Sequence, residues 1–398
     1  MRHRYMRISE LGRVVTGKTP PTNRSNVFDG EYMFVTPSDL EYNHYFCHST
    51  ERTVTDEAKS LLRNQFIPAN SIMFTCIGAT IGKCGISSTE CLTNQQINSI
   101  VPNDKTDPQF LYYLLCLNAE TVKGLGGGAA TPIVNKSKFE EIELLVPSFE
   151  DQKAIARTLS SYDDLIDNNR RRMALLEDSA RQLYREWFVR LRFPGHEHTP
   201  IVDGVPQGWE RRTAFDSMQV LSGGTPKTSI SDYWDGETPF FTPKDAVDGI
   251  WVSSCERSLT ELGIKNCNSK LYPRETVFIT ARGTVGKLNM AQTPMAMSQS
   301  CYALVAKDHL SQRFIYSAMK EGVEALRQQA VGAVFDAIVV DTFKRIHLIV
   351  PTATVLRMFD EAVEPVFAQV ENLASQNQKL RQARDLLLPR LMNGELAV

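Results

Sequence analysis

Two stretches of the chain carry apolar positions in helical rhythm. Tyr162, Ile166, Asn169, Met173, Leu176, Ala180, Leu183 and Trp187 alternate steps of four and three. Val366, Val370, Leu373, Asn377, Leu380, Arg384, Leu387 and Leu391 do the same, each at its counterpart plus 204. A 4-3 alternation kept over about three to four heptads predicts a coiled-coil seam, the alternative being a helix packed only on its own domain. The seam is favoured because both stretches keep it and the opposite faces are polar or charged, with Arg170, Arg171, Arg172 and Glu177 in one and Gln376, Lys379 and Arg381 in the other. Asn169 and Asn377 are polar seam positions one step apart in register, suited to fixing alignment at some cost in stability. Elsewhere short β-branched and aromatic runs (Tyr32–Thr36, Ser71–Ile77, Phe240–Thr242, Thr276–Ala281) mix with helical stretches (Asp56–Arg63, Pro108–Leu117, Gln312–Gln328). The fold class expected is mixed α/β: two globular regions joined by two long helices in an antiparallel coiled coil.

The chain is a tandem duplication. Thr19-Pro20 recurs as Thr225-Pro226, Asp29-Gly30-Glu31 as Asp235-Gly236-Glu237, and Thr36-Pro37-Ser38-Asp39 as Thr242-Pro243-Lys244-Asp245, all 206 residues apart. Beyond them the offset becomes 204: Thr80, Gly82 and Lys83 match Thr284, Gly286 and Lys287, and Gln95 matches Gln299. Phe110, Tyr112, Gly128, Phe139 and Val146-Pro147 continue the series to Phe314, Tyr316, Gly332, Phe343 and Val350-Pro351. So long a period excludes a solenoid. Phe193-Pro194-Gly195 stops the first helix and Asn393-Gly394 the second. The division expected is a globular copy at 1–148, a helix at 149–192, a linker at 193–208, a second copy at 209–352 entered at Trp209, and a helix at 353–398.

With 398 residues, more than one domain is expected, and 42% hydrophobic with 23% charged residues excludes wholesale disorder. The basic start has no apolar run behind it, and no apolar stretch approaches the ~18 residues of a membrane span. The eight cysteines form no CxxC pair, as expected of reduced thiols in a cytoplasmic protein. Net charge is −2, and neither copy is a basic block: residues 1–148 hold 14 Lys and Arg against 15 Asp and Glu, and residues 193–352 hold 16 against 17. Nucleic-acid binding therefore requires positive charge gathered on one face.

Motifs for chemistry are missing. The Pro-Pro pair, Pro20-Pro21, is followed by Thr22 rather than the aromatic of a base-methylating loop, and Gly126-Gly127-Gly128 follows a helical stretch, as a turn does. Gly78, Gly82, Lys83 and Cys84 lack the spacing and hydroxyl of a P-loop. Asp39 with Glu57-Ala58-Lys59 loosely fits a metal-dependent nuclease, yet the second copy keeps Asp245 and loses the rest, so helix-face charges are the better reading. His44, Cys47 and His48 match no zinc spacing. No catalytic residue, metal site or bound cofactor is expected in this chain.

Residues suited to DNA lie near the repeated turns. Lys18, Thr19, Asn23 and Arg24 follow the first turn, and Lys227, Thr228 and Ser229 follow its equivalent; Lys and Arg suit phosphates, while Asn, Gln and Arg suit base edges. Lys83 and Lys287 sit in a tight Gly-x-Lys turn, serving a phosphate or merely the turn. Gln95 and Gln299 either read bases or pair internally. Lys244 and Arg282 have no charged counterparts at Ser38 and Cys76–Gly78, a difference that two domains reading different sequences would show. Arg170-Arg171-Arg172 beside the seam suits solvent or a partner protein.

The ordered set resembles the specificity subunit of a type I restriction–modification enzyme. The carriers are the Thr16 to Pro20 start with its second-copy version Ser222 to Pro226, Tyr233 to Glu237, Gly283 to Lys287 with Ala79 to Lys83, the Pro206-Gln207-Gly208-Trp209 entry, and Leu386 to Gly394 at the close. The similarity spans the chain, though the first copy lacks a Pro-x-Gly-Trp entry. The resemblance implies that each copy is a target-recognition domain for half of a split duplex sequence. It implies that the helices pack antiparallel as a spacer and bind two modification subunits carrying the adenine methyltransferase site and S-adenosylmethionine. Restriction subunits would add ATP- and magnesium-dependent translocation and cleavage. A two-domain adaptor without a DNA role is the alternative, and a stand-alone nuclease or methyltransferase a more distant one.

Overall fold

A computed structural model describes residues 3–24, 26–40, 45–127, 132–329 and 337–397; His44, Gly128 and Gly332 fall outside them. By its contacts the chain divides into two units, Met1–Ile166 with Lys379–Val398, and Asp167–Gln378. The first long helix, Phe149–Tyr184, and the second, Ala353–Met392, each contribute a part to both units.

In the first unit a five-stranded sheet runs in the order Gly12–Thr16, Ile97–Pro102, Ile72–Thr75, Cys84–Ser87, Phe46–Cys47. A second sheet orders Arg52–Val54, Phe28–Val35, Cys91–Thr93, Phe66–Ile67, and Arg4–Arg7 pairs with Glu143–Val146. Ile72–Thr75 is buried on both faces, which is why it reads as a continuous apolar run rather than an alternation. The helix Pro108–Leu117 packs against this sheet; Asp107 caps it by accepting from the Phe110 N–H at 2.9 Å, and Pro108 occupies its first turn.

The second unit repeats the plan. Its five-stranded sheet orders Met218–Ser222, Cys301–Ala306, Val277–Thr280, Leu288–Ala291, Trp251–Val252. Beside it run Ser258–Leu259, Trp234–Phe241 and Ala296–Met297, and Glu210–Thr213 pairs with His347–Val350. The repeated Asp-Gly-Glu is a structural device. Asp29 and Asp235 have φ of 62° and 59°, the strand register slips there, and a Cβ on Gly30 or Gly236 would meet the carbonyl of Val54 or Leu259 at 2.5 or 2.4 Å.

The structure also resolves how the repeat offset changes. It passes through 205 in the central strand, where Thr75 and Thr280 play one part: each accepts from the following Lys83 or Lys287 N–H at 3.0 Å, and each bonds the Thr80 or Thr284 carbonyl. Every seam position expected from the sequence is buried or half-buried. In the second unit Asn169 donates to Asn377 at 2.9 Å while Tyr184 packs on Phe359, so the two helices run antiparallel there. The helices also serve the domains. Tyr184, Phe188, Phe314 and Phe359 form one aromatic cluster, joining the end of the first helix to the second copy's core. Glu177, read from the sequence as part of a charged outer face, is instead half-buried and accepts from the Ile250 N–H at 3.1 Å. Heptad position alone does not report a domain packed on the helix flank.

Candidate nucleic-acid interface

The Thr-Gly-x-Thr-Pro start is built to lie on one turn. Gly17 N–H donates to the Ile97 carbonyl at 3.1 Å and Lys18 N–H to the Thr93 carbonyl at 2.8 Å. A Cβ on Gly17 would stand 2.3 Å from the Thr93 and Asn94 carbonyls, so glycine is what permits the approach. Gly223 meets the Ser298 and Met297 carbonyls at 2.3 and 2.5 Å in the same way, and Gly224 N–H donates to Met297 at 3.1 Å. The approach delivers a side-chain pair in both copies. Thr19 donates to Gln95 Oε1 at 2.7 Å, and Thr225 donates to Gln299 Oε1. Both glutamines are exposed, and among the described residues their N–H groups meet no acceptor. Internal pairing and an outward-facing donor are thus combined in one residue, where the sequence posed them as alternatives.

The same turn is tied to the next one. Asn94 N–H reaches the Val35 carbonyl and Ser298 N–H the Phe241 carbonyl, both at 2.9 Å. Directly after come Thr36 to Asp39 and Thr242 to Asp245. Asp39 accepts from the Thr36 N–H and hydroxyl at 2.8 and 2.7 Å and from the Glu51 N–H at 2.9 Å. Asp245 accepts from Thr242 at 2.8 and 2.6 Å and from the Glu256 N–H at 2.7 Å. These carboxylates hold a turn, as three accepted bonds each require. The nuclease-like pattern at Asp39 is therefore a scaffold. The exposed residue that this turn presents is Ser38 in the first copy and Lys244 in the second.

The charged candidates separate into two kinds. Lys83 Nζ donates to the Pro37 carbonyl at 2.9 Å, Lys287 pairs with Asp248 at 2.7 Å, and Arg24 lies 3.7 Å from Glu57. Each of these cations is held by a partner on another segment of its own copy. Lys18, Lys227, Lys244 and Arg282 are exposed and make no ion pair among the described residues; Asn23 and Thr228 are exposed beside them in sequence. Glycines at φ 73° and 77°, Gly78 and Gly283, follow shortly after the central strand of each copy.

Three of the thiols are chemically quiet. Burial pushes Cys76, Cys255 and Cys301 up to about 12, so they stay protonated at neutral pH. Among the described residues no group of His, Cys, Asp and Glu side chains is arranged to hold a metal ion, and no helix is long and apolar enough to cross a membrane.

Residues 4–178 and 206–355 match the family model of the type I restriction modification DNA specificity domain. The chain belongs to that family. It is a non-catalytic DNA specificity subunit that works within a type I restriction–modification complex. The type I restriction enzyme MjaIX specificity subunit of Methanocaldococcus jannaschii is 28% identical over 98% of this chain and 93% of its own length. The type I restriction enzyme HindI specificity subunit of Haemophilus influenzae is 22% identical over 73% of this chain and 77% of its own. In fold, the crystal structure of the type I restriction–modification system S subunit from M. genitalium matches 98% of this chain and 96% of that one with a TM-score of 0.56 at 17% identity.

Sequence reasoning missed one polar cluster. Asp163 of the first helix bonds Tyr113 on the domain helix and Arg384 on the second long helix, and all three are buried. Arg384 alone stood in the seam pattern; Asp163 lies one position past Tyr162, and nothing in its spacing marked it.

Proposed function

We propose that each globular copy is a target-recognition domain that reads one half of a split duplex sequence, the boundaries being 1–148 and 209–352. The paired Thr19–Gln95 and Thr225–Gln299, held on the same frame in each copy, carry this reading. Two equivalent surfaces in one chain suit a bipartite target. Lys18, Lys227, Lys244 and Arg282 supply the local positive charge that the acidic composition withholds overall. Lys83 and Lys287 support their turns and reach phosphates only by exchanging their present partners. The two long helices dock two modification subunits, which bring S-adenosylmethionine and the methyl-transfer site, and two restriction subunits complete the assembly with ATP and magnesium. Arg171 and Arg172, exposed beside the seam, belong to that docking face.

The test is reconstitution. The purified chain with S-adenosylmethionine leaves DNA unmethylated, and adding the modification subunit produces methylation at one interrupted motif. Turnover by the chain alone, or methylation without sequence preference in the complex, contradicts the reading.

A further inference from the structure

We propose that Arg282 reads a guanine in the half-site bound by the second copy, at a step where the first copy, with Ile77, reads none. The proposal rests on the reading that both copies contact DNA, and it names one residue that makes their targets differ.

The central strands of the two copies share one register. In the first copy Ile72 to Thr75 pair with Ile100 to Ile97, and the ladder continues as Cys76 N–H donates to the Gln96 carbonyl at 2.8 Å. In the second, Val277 to Thr280 pair with Leu304 to Cys301, and Ala281 N–H donates to the Ser300 carbonyl at 2.8 Å. Across the ladder Gln95 and Gln299 lie in the turns closed by Ile97 N–H on the Asn94 carbonyl and by Cys301 N–H on the Ser298 carbonyl, while one step further along the central strands stand Ile77 and Arg282. The glycine that follows has positive φ in both copies. The backbones are therefore equivalent, and the glutamine is equivalent with its threonine partner, while the residue just before the positive-φ glycine is apolar in one copy and cationic in the other.

Identical side chains on identical frames cannot tell two half-sites apart. The Thr–Gln pairs are thus assigned to what the half-sites share, whether a phosphate or a common base. A difference on the same frame can discriminate. Ile77 is half-buried and bridges to Ile133, whereas Arg282 is exposed and without an ion pair among the described residues. A guanidinium offers two parallel donors matched to O6 and N7 of guanine, an arrangement that an ammonium cannot reproduce. Isoleucine offers only apolar contact, as to a thymine methyl.

The experiment uses the full chain reconstituted with its modification subunit and a duplex panel varied at every base pair of both half-sites. Arg282→Ile is expected to lower discrimination at one guanine of one half-site by about 5- to 150-fold. The other half-site is expected to stay unchanged, and Arg282→Lys is expected to fail to restore the preference. Three results overturn the proposal: an unaltered motif, loss of all methylation in a folded complex, or uniform weakening that Arg282→Lys repairs, which marks a phosphate contact. A wild-type complex with no interrupted motif would instead remove the DNA reading beneath it.

Discussion

Asp163 and Arg384 form a buried ion pair in the first unit, and the Tyr113 hydroxyl donates to the second oxygen of the same carboxylate. Burial works against the charge of Arg384, but Asp163 and Asp385 outweigh it and raise its pKa; burial, followed by Asp163, raises that of Tyr113. By the 204-residue repeat the counterparts of Asp163, Arg384 and Tyr113 are Phe367, Ala180 and Ser317. There Phe367 packs on Trp251 instead, and the Trp251 indole N–H donates to the Phe367 carbonyl at 3.0 Å.

Removing one partner strands the other. Arg384→Ala is expected to destabilise the chain by about 3–5 kcal/mol, because Asp163 stays buried without its cation. Asp163→Phe with Arg384→Ala, which imitates the second unit, is expected to recover a large part of that loss. Denaturant unfolding of the two variants checks this; a double variant no more stable than Arg384→Ala contradicts it.

Glu177 gives a pH signature. Burial lifts its carboxyl above the usual carboxylate range, against the lowering effects of the Ile250 N–H and Lys320. A raised folded-state pKa means the folded chain binds the proton more tightly, so this group's contribution is greatest below the unfolded value of about 4.3 and is lost as pH rises through the folded value. The stability of Glu177→Gln relative to the parent is expected to increase between about pH 4 and neutrality. Unfolding free energies of both proteins across that range measure it, and a constant difference contradicts it.

Gly17 and Gly223 lack room for a Cβ against backbone carbonyls. Gly17→Ala is expected to displace the Thr19–Gln95 pair and relax recognition of one half-site, and Gly223→Ala to relax the other. The methylated motif of each reconstituted variant reports this. Loss confined to the wrong half, or none, would show that the pair is not part of the reading surface.

The first helix covers 36 residues without a break, roughly 54 Å, and passes from one unit to the other after Ile166. The second changes unit between Gln378 and Lys379. A helical heptad inserted at both points keeps the seam periodicity and adds about 10 Å, close to three base pairs. If the helices set the spacer, the methylated motif is expected to keep both half-sites and gain about three unspecified positions. An active variant with the original spacer would contradict it.

Much of this was legible in the sequence, for physical reasons. The duplication stood out because glycine and proline positions obey steric rules: Gly30 and Gly236, or Gly17 and Gly223, leave the same small space in both copies. The long helices stood out because their buried faces repeat at 4-3 spacing. What stayed hidden depends on contacts between distant segments. Nothing local predicts that Glu177 receives an N–H from Ile250, that Lys83 is tied to Pro37, or that Asp163 meets Arg384 across 221 positions. Nor does one-dimensional matching resolve an offset of 205, which is why Arg282 had no single counterpart until the strand register identified Ile77.

The most direct test of the whole account exchanges residues 209–352 for the matching domain of a relative. The full chain is then reconstituted with its modification subunit, and the methylated motif is sequenced across a genome. Independent readout by two copies predicts that one half of the motif changes to the relative's and the other half persists. A folded, active chimera in which both halves change, or neither does, would contradict it.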